Sequence, residues 1–376
     1  MIYIISYALS VFFAYAAKIC KSKRAFIFFS IISVTITALL AGLRDISIGV
    51  DTKNYYYNPL YWSGAQSSEN LIEYLKYYIN STRSLFQEII YIAFLGAVQK
   101  TTNNYQFFLF LEHLLIVGFV YIGAFRMRHH ANPVITLLLF YLLYFAQSLN
   151  ITRQYIVMAI LFASLKDIEN EKYLKYTLIN ILCLFIHSSA FFGMIPLVIY
   201  RILYPKSYKY QEKTTLFRRV IMCSIIVAGS ASMIYVIQYF MQIGLLSKYR
   251  FLFDSEYTGI LNFFFICFML VEFFGILLFN KSFKKNNTKS YFFAFCSLAF
   301  FALNIVGGFM KYGDRMSEYL SLQNIITIGM ISNCQNRKSD RMIVDIITVL
   351  TVVIYWIILI PIHNSSYTMP YVFCFN

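Results

Sequence analysis

Between Ala25 and Leu43 the chain runs nineteen residues without a charged side chain. That is close to the length a helix needs to cross the roughly 30 Å hydrocarbon layer of a bilayer. Long apolar runs recur to the end of the sequence, among them Phe107–Phe125, Tyr291–Met310 and Ile343–Ile362. Inside lipid every backbone N–H and C=O must be paired within the protein, so helices and closed barrels are the available solutions. A barrel reads as short segments of strict alternation, whereas these runs are continuous. The expected fold is therefore an all-α polytopic integral membrane protein, a single transmembrane domain over residues 1–376. Composition agrees: 13% of the residues are charged and 59% are hydrophobic, against about 25% charged in soluble domains.

A net charge of +15 would suit a nucleic-acid partner, but the placement of the charges argues for none. The basic residues gather at Lys18–Arg24, Arg126–Arg128, Lys166–Lys175, Arg201–Arg219, Lys281–Lys289 and Arg337–Arg341. Such clusters mark cytoplasmic loops. With all of them inside, the chain makes about twelve crossings and both termini lie outside. Ala14-Tyr15-Ala16 resembles a signal-peptidase site, but no basic residue precedes the apolar run, so Tyr3–Ala17 is expected to stay as the first helix. The apolar stretch Leu85–Val98 is short for a crossing, and parity forbids one. It is expected to be an interfacial or re-entrant helix within one long outer loop, residues 44–105. The largest cytoplasmic loop is residues 201–219, and Gly307-Gly308 suggests an unwinding point. Seven cysteines are scattered singly without a CxxC pair, which supports neither a zinc site nor a disulfide framework. No cofactor and no metal is expected, although Asp45 and Asp51 together have the oxygen chemistry to hold a divalent cation.

Three polar clusters, far apart in sequence, fall on the outer face in this topology. The first is GLRDISIGVDTKNY, Gly42 to Tyr55, which brings Arg44, Asp45, Asp51 and Tyr55 to the mouth of the second helix. The second pairs Arg153-Gln154, opening a helix, with His187-Ser188-Ser189 at the end of the hairpin that follows. The third holds Lys311, Asp314, Arg315, Glu318 and Tyr319. Charges at membrane depth are costly unless paired or bound to ligand. A guanidinium grips phosphate oxygens bidentately, and a helix N-terminus adds its dipole at Arg153. Arg44, Arg153 and Arg315 together suggest a phosphate or pyrophosphate clamp. Singly, each also fits snorkelling to headgroups or pairing with an acid. Asp51, Asp45 and His187 are the candidate general bases; each could equally hold structure.

The same residues resemble a known pattern. GLRDISIGVDTKNY is similar to the GLRd-x3-G-x-D-x3-Y signature of the EpsG family, bacterial exopolysaccharide proteins grouped with the O-antigen polymerases. FQEIIYIAF (with Phe86 and Glu88), ITRQ at Ile151–Gln154, FIHSSA at Phe185–Ala190, DRMSEY at Asp314–Tyr319 and SYTMPY at Ser366–Tyr371 follow in family order. Gln87-Glu88 departs from the family's pattern of an acid followed by Gly and Tyr, so no catalytic role is assigned to Glu88. The resemblance implies a GT-C-like glycosyltransferase that polymerises oligosaccharide repeat units carried on undecaprenyl pyrophosphate at the outer face of the bacterial inner membrane. Its partners would be the lipid-linked donor and acceptor, membrane lipid and a chain-length regulator. Arg44, Arg153 and Arg315 would stabilise the departing pyrophosphate, with Tyr55, Gln154 and Tyr319 beside the substrate. Another lipid-linked-sugar glycosyltransferase, or a transporter of the lipid-linked oligosaccharide, uses similar chemistry. A transporter would also show repeated halves and charges reachable from both faces, and neither is evident.

Overall fold

Helix α1 (Ile2–Ile19) turns its polar and small residues inward and its large aliphatic ones outward. Tyr3, Tyr7, Ser10, Ala14 and Ala17 are buried, while Ile4, Leu9, Phe12 and Ile19 are exposed. This inversion is what lipid demands, since aliphatic side chains gain nothing from leaving hydrocarbon whereas hydroxyls need partners. The buried face meets α2 (Lys23–Gly42). Ser10 Oγ donates to the Ser33 carbonyl at 2.8 Å, Ser33 Oγ returns a bond to the Ser10 carbonyl at 2.8 Å, and Tyr141 OH lies 2.7 Å from Ser10 Oγ. Interhelical bonds of this kind contribute about 0.6 kcal/mol each, so the seam fixes orientation more than it adds stability.

The computed structural model describes residues 1–82, 88–205, 217–226, 228–229, 232, 289–307, 314–335, 337–364 and 366–375. Most of the apolar run Val220–Leu245, all of the apolar run Ile260–Phe279, the start of Leu85–Val98, and Gly308 and Lys311 lie outside the described residues. The described part is helical, with one isolated bridge between Arg44 and Phe373. Four helices, Ile2–Ile19, Lys23–Gly42, Tyr105–Arg126 and Lys338–Ile362, are long and apolar enough to cross a bilayer, and five shorter apolar helices accompany them. The protein is a helical membrane protein.

After α2 the chain makes four loop helices: α3 (Val50–Tyr57), α4 (Trp62–Ser67), α5 (Leu71–Ser81) and α6 (Ile89–Thr102). Asn70 caps α5 by accepting from Glu73 N at 3.0 Å, and Glu73 answers by accepting from Glu69 N at 2.6 Å. That reciprocal pair fixes where a polar segment becomes helical. Helix α6 packs on α4 and α5, and Lys100 near its end donates to the Ser68 carbonyl. Its 14 residues span about 21 Å at 1.5 Å per residue.

Helix α7 (Tyr105–Arg126) packs along both α2 and α10 (Thr152–Glu169). Between α7 and α10 lie α8 (Pro133–Leu143) and the single turn α9 (Phe145–Ser148), and α11 (Tyr173–Leu184) follows α10. Nearly every residue of α10 is buried, so its apolar stretch looks short in the sequence only because polar side chains at both ends also face protein. A 3₁₀ segment, Ser188–Met194, leads into α12 (Ile195–Leu203). The apolar run Met316–Ile331 is not one continuous helix: Asp314–Ser317 is helical, Glu318–Leu320 is 3₁₀ and Ser321–Gly329 is helical again. Gln147 Nε2 donates to Glu318 Oε1 at 3.2 Å, and Tyr319 OH lies 2.9 Å from Ser189 Oγ. Both side chains are thus anchored across the bundle at the point where the spacing tightens.

The helices run between two polar ends. One carries Arg44, Arg153, His187 and Arg315. The other carries the Lys18–Arg24 and Arg126–His130 turns, where Arg126 pairs with Asp167 at 2.9 Å and His129 with Glu169 at 3.1 Å.

Candidate active site

The Gly42–Tyr55 loop is held by the C-terminal tail. Asp45 N donates to the Val372 carbonyl at 2.9 Å, Cys374 N to the Leu43 carbonyl at 3.0 Å, and Gly49 N to the Tyr367 carbonyl at 3.2 Å. Asn150 Nδ2 reaches the Ser366 carbonyl at 2.6 Å, so the tail also ties down the turn before α10. Gly49 has φ +88, and a Cβ there would lie 2.9 Å from the Leu149 carbonyl. The glycine therefore serves a left-handed turn and a close approach to protein, not to ligand. The SYTMPY stretch, to which its sequence alone gives no task, is the strap across this loop.

Held this way, the loop aims α3 at the start of α10. Arg153, in the first turn of α10, donates through Nε and Nη2 to Tyr55 OH, at 3.2 and 2.9 Å, and through Nη1 to Glu88 Oε2. The rings of Tyr55, Tyr61 and Tyr91 surround its guanidinium at 4.8, 5.2 and 5.4 Å. A guanidinium carries five N–H groups. With three engaged, one on Nη1 and one on Nη2 have no hydrogen-bond partner among the described residues.

Glu88 is the residue that residue-by-residue reading passed over. Oε1 sits 3.0 Å from His187 Nδ1 and accepts from Ser188 N at 3.3 Å, while Oε2 takes Arg153. Arg153 and Glu88 side chains are 13% and 11% exposed, enough burial for the pair to matter. Burial opposes the carboxylate charge, but Arg153 and His187 outweigh it and hold the carboxyl down at about 2. Glu88 also has φ +50 at the start of α6, a left-handed conformation worth about 1–2 kcal/mol of strain for a residue with a Cβ. Strain of this sort persists where surrounding contacts over-determine the position, and Arg153, His187 and Ser188 do so here. The signal available in the sequence was the acid's place in family order.

His187 is half-buried in the extended residue before the Ser188–Met194 turn. Burial, with Arg153 and Arg315 nearby, lowers its pKa against the pull of Glu88, so the ring is neutral at pH 7. A neutral ring that faces Glu88 through Nδ1 donates there and leaves the Nε2 lone pair to accept. Asp51, in the first turn of α3, sits in the field of Arg315, Arg153 and His187. Burial nonetheless raises its carboxyl above the usual range, and no hydrogen bond or ion pair engages it among the described residues. Gln154 donates to the Arg315 carbonyl at 2.7 Å, which joins α10 to the third cluster. Tyr319 is buried and joined to Ser189.

So Asp51, Tyr55, Arg153, His187 and Arg315 converge, with Gln154 and Tyr319 bracing them from behind. Arg44 and Asp45 stand apart. Arg44 is 0% exposed. Its Nη1 donates to the Ala41 carbonyl at 3.0 Å, and its Nη2 to Thr52 Oγ1 and the Leu149 carbonyl at 3.4 and 3.3 Å. Of the three arginines expected to act together, Arg44 is thus engaged inside the protein, apart from Arg153 and Arg315. Asp45 Oδ1 accepts from Ser47 N at 2.9 Å, and hydrogen bonds from the Ser47 side chain and backbone lower its pKa. Among the described residues, the group of three metal-ligating side chains lies at the opposite end: His129, His130 and Glu169. Lys166 Nζ already fills it, 2.8 Å from both His129 Nε2 and Glu169 Oε2.

A cluster of arginine, carboxylate and histidine where loop helices meet the bundle of a helical membrane protein is a candidate functional site. Residues 26–373 match the EpsG family, and the chain belongs to it, a family of exopolysaccharide and O-antigen polymerase-like proteins. Neither the curated proteins nor the solved structures show a match.

Proposed function

We propose that the protein is a polysaccharide polymerase, a GT-C-like glycosyltransferase that joins oligosaccharide repeat units carried on undecaprenyl pyrophosphate at the outer face of the inner membrane. A twelve-crossing topology with both termini outside and residues 44–105 as the outer loop goes with it. The alternation of the described helices between two polar ends supports that topology. The observation that carries the functional reading is the convergence of Arg153, Arg315, His187 and Asp51 from four segments, in a chain of this family.

In this reading the growing chain's pyrophosphate lies against Arg315 and the two spare N–H groups of Arg153. A hydroxyl of the incoming unit attacks the anomeric carbon, the bond from that carbon to the phosphate oxygen breaks, and the electron pair leaves on undecaprenyl pyrophosphate. The hydroxyl proton goes to Asp51, whose raised pKa makes it a better base than an ordinary aspartate. His187 Nε2 accepts a hydrogen bond from the acceptor sugar and orients it. Tyr55 and Tyr61 fix the guanidinium of Arg153, and Arg44 fixes the loop that carries Asp51.

Reconstituted protein given undecaprenyl-pyrophosphate-linked repeat units should yield a ladder of polymer, and a deletion strain should display single capped units. Loss of all surface sugar in the deletion strain, with no ladder in vitro, would assign the protein to export instead.

A further inference from the structure

The end of the bundle opposite the candidate site contains a cavity of about 620 Å³. It opens among the ends of five helices: α1, α2, α7, α8 and Lys338–Ile357. Lys18, Lys21, Lys23, Arg128 and Arg341 line it, with Asp345 as the acid in the wall. None of these five cations has a carboxylate within 4 Å among the described residues. Two are nevertheless held in place. Lys18 Nζ donates to Asn132 Oδ1 at 2.9 Å, and Arg341 Nε to the Gln335 carbonyl at 2.7 Å. Deeper in, Phe26 and Phe125 meet edge to face at 5.4 Å and form an apolar wall. Ile19 and Ile27, next in sequence to the lining residues Lys18, Cys20 and Phe26, are 61% and 46% exposed.

Cytoplasmic loops are basic in most membrane proteins, but scattered loop charges do not line a cavity with an aromatic wall beside a lipid-facing surface. Five cations around the single carboxylate of Asp345, which interacts with Lys18 and Arg341, leave a net positive charge, and an anion between them relieves the repulsion. The combination of basic lining, an aromatic pair in the wall and exposed aliphatic residues beside it matches one ligand class: a phosphate headgroup with acyl chains attached. We propose that this cavity binds the headgroup of an anionic phospholipid, with the first methylenes of its chains against Phe26 and Phe125. The proposal rests on the chain being a membrane protein and does not depend on the polymerase reading.

The test uses the full-length protein purified in mild detergent and incubated with vesicles of phosphatidylglycerol or phosphatidylcholine, bound lipid being read by native mass spectrometry. Phosphatidylglycerol should be retained and phosphatidylcholine should not. Combining Lys21→Gln, Lys23→Gln and Arg128→Gln should weaken retention on the order of 100-fold, from about a factor of five per basic side chain. A control combining Lys172→Gln, Lys175→Gln and Arg201→Gln, exposed basic residues that do not line the cavity, should leave retention unchanged. Equal loss in both triple variants would mean generic surface charge and overturn the proposal, as would equal retention of the two lipids. Displacement of phosphatidylglycerol by excess inorganic phosphate would assign the cavity to free phosphate and also overturn it. Arg128→Gln alone, in a single exposed side chain, should give about a fivefold loss; no loss there counts against the proposal even if the triple variant fails to fold.

Discussion

Replacing Glu88 by glutamine probes the centre of the site with the smallest change in shape. The amide oxygen can still accept the His187 Nδ1 proton, but the charge facing Arg153 is gone. The native carboxyl is held at about 2 against an ordinary 4.5, a difference worth on the order of 3 kcal/mol. Since the folded-state pKa is the lower one, this stability is complete above pH 4.5 and is lost as the pH falls from 4.5 towards 2. The assay is thermal unfolding of wild type and Glu88→Gln in detergent or nanodiscs from pH 7 to pH 3. A gap in Tm of about 5 °C is expected near neutrality, narrowing below pH 4.5. Polymer yield should drop in Glu88→Gln and drop further in Glu88→Ala, which leaves His187 without its acceptor. A gap that stays the same across the whole pH range would refute the argument, because an electrostatic contribution must titrate with the group that makes it.

Asp51→Asn should do the reverse for stability: burial raises this carboxyl, so its charge opposes folding above the folded-state pKa, and the variant should melt higher at pH 7 while polymerisation falls by about 10²-fold or more; a lower Tm or wild-type polymer removes Asp51 as the base. Arg153→Lys should insert normally yet lose roughly 100-fold in polymer, since an ammonium cannot span Tyr55, Glu88 and a phosphate together; polymer at wild-type amounts would return Arg153 to a structural role. Gly49→Ala should lower Tm by the equivalent of about 2 kcal/mol, because the left-handed φ and the 2.9 Å approach to Leu149 leave no room for a Cβ; an unchanged Tm would show that the turn does not depend on glycine there.

The sequence by itself determined that the chain is helical and membrane-embedded, because a nineteen-residue uncharged run admits few other solutions. It also picked out segments of the candidate site: Asp51, Arg153, His187 and Arg315 stand out as charged or titratable groups at the ends of apolar runs, and the structure brings them near one another from across the chain. What it could not rank was Arg44 against Arg153, or Glu88 against Asp45. Both arginines sit at a helix end beside polar residues, yet one is enclosed by Ala41, Thr52 and Leu149 and the other keeps donors to spare. Which outcome each meets depends on the tail strapped over the Gly42–Gly49 loop and on α6 entering beside α10, contacts between residues 65 to more than 300 positions apart. Hydrophobic periodicity reports which residues avoid water; it carries no information on which polar groups will face one another once the helices pack, and that pairing alone decides whether a charge is structural or left available for substrate.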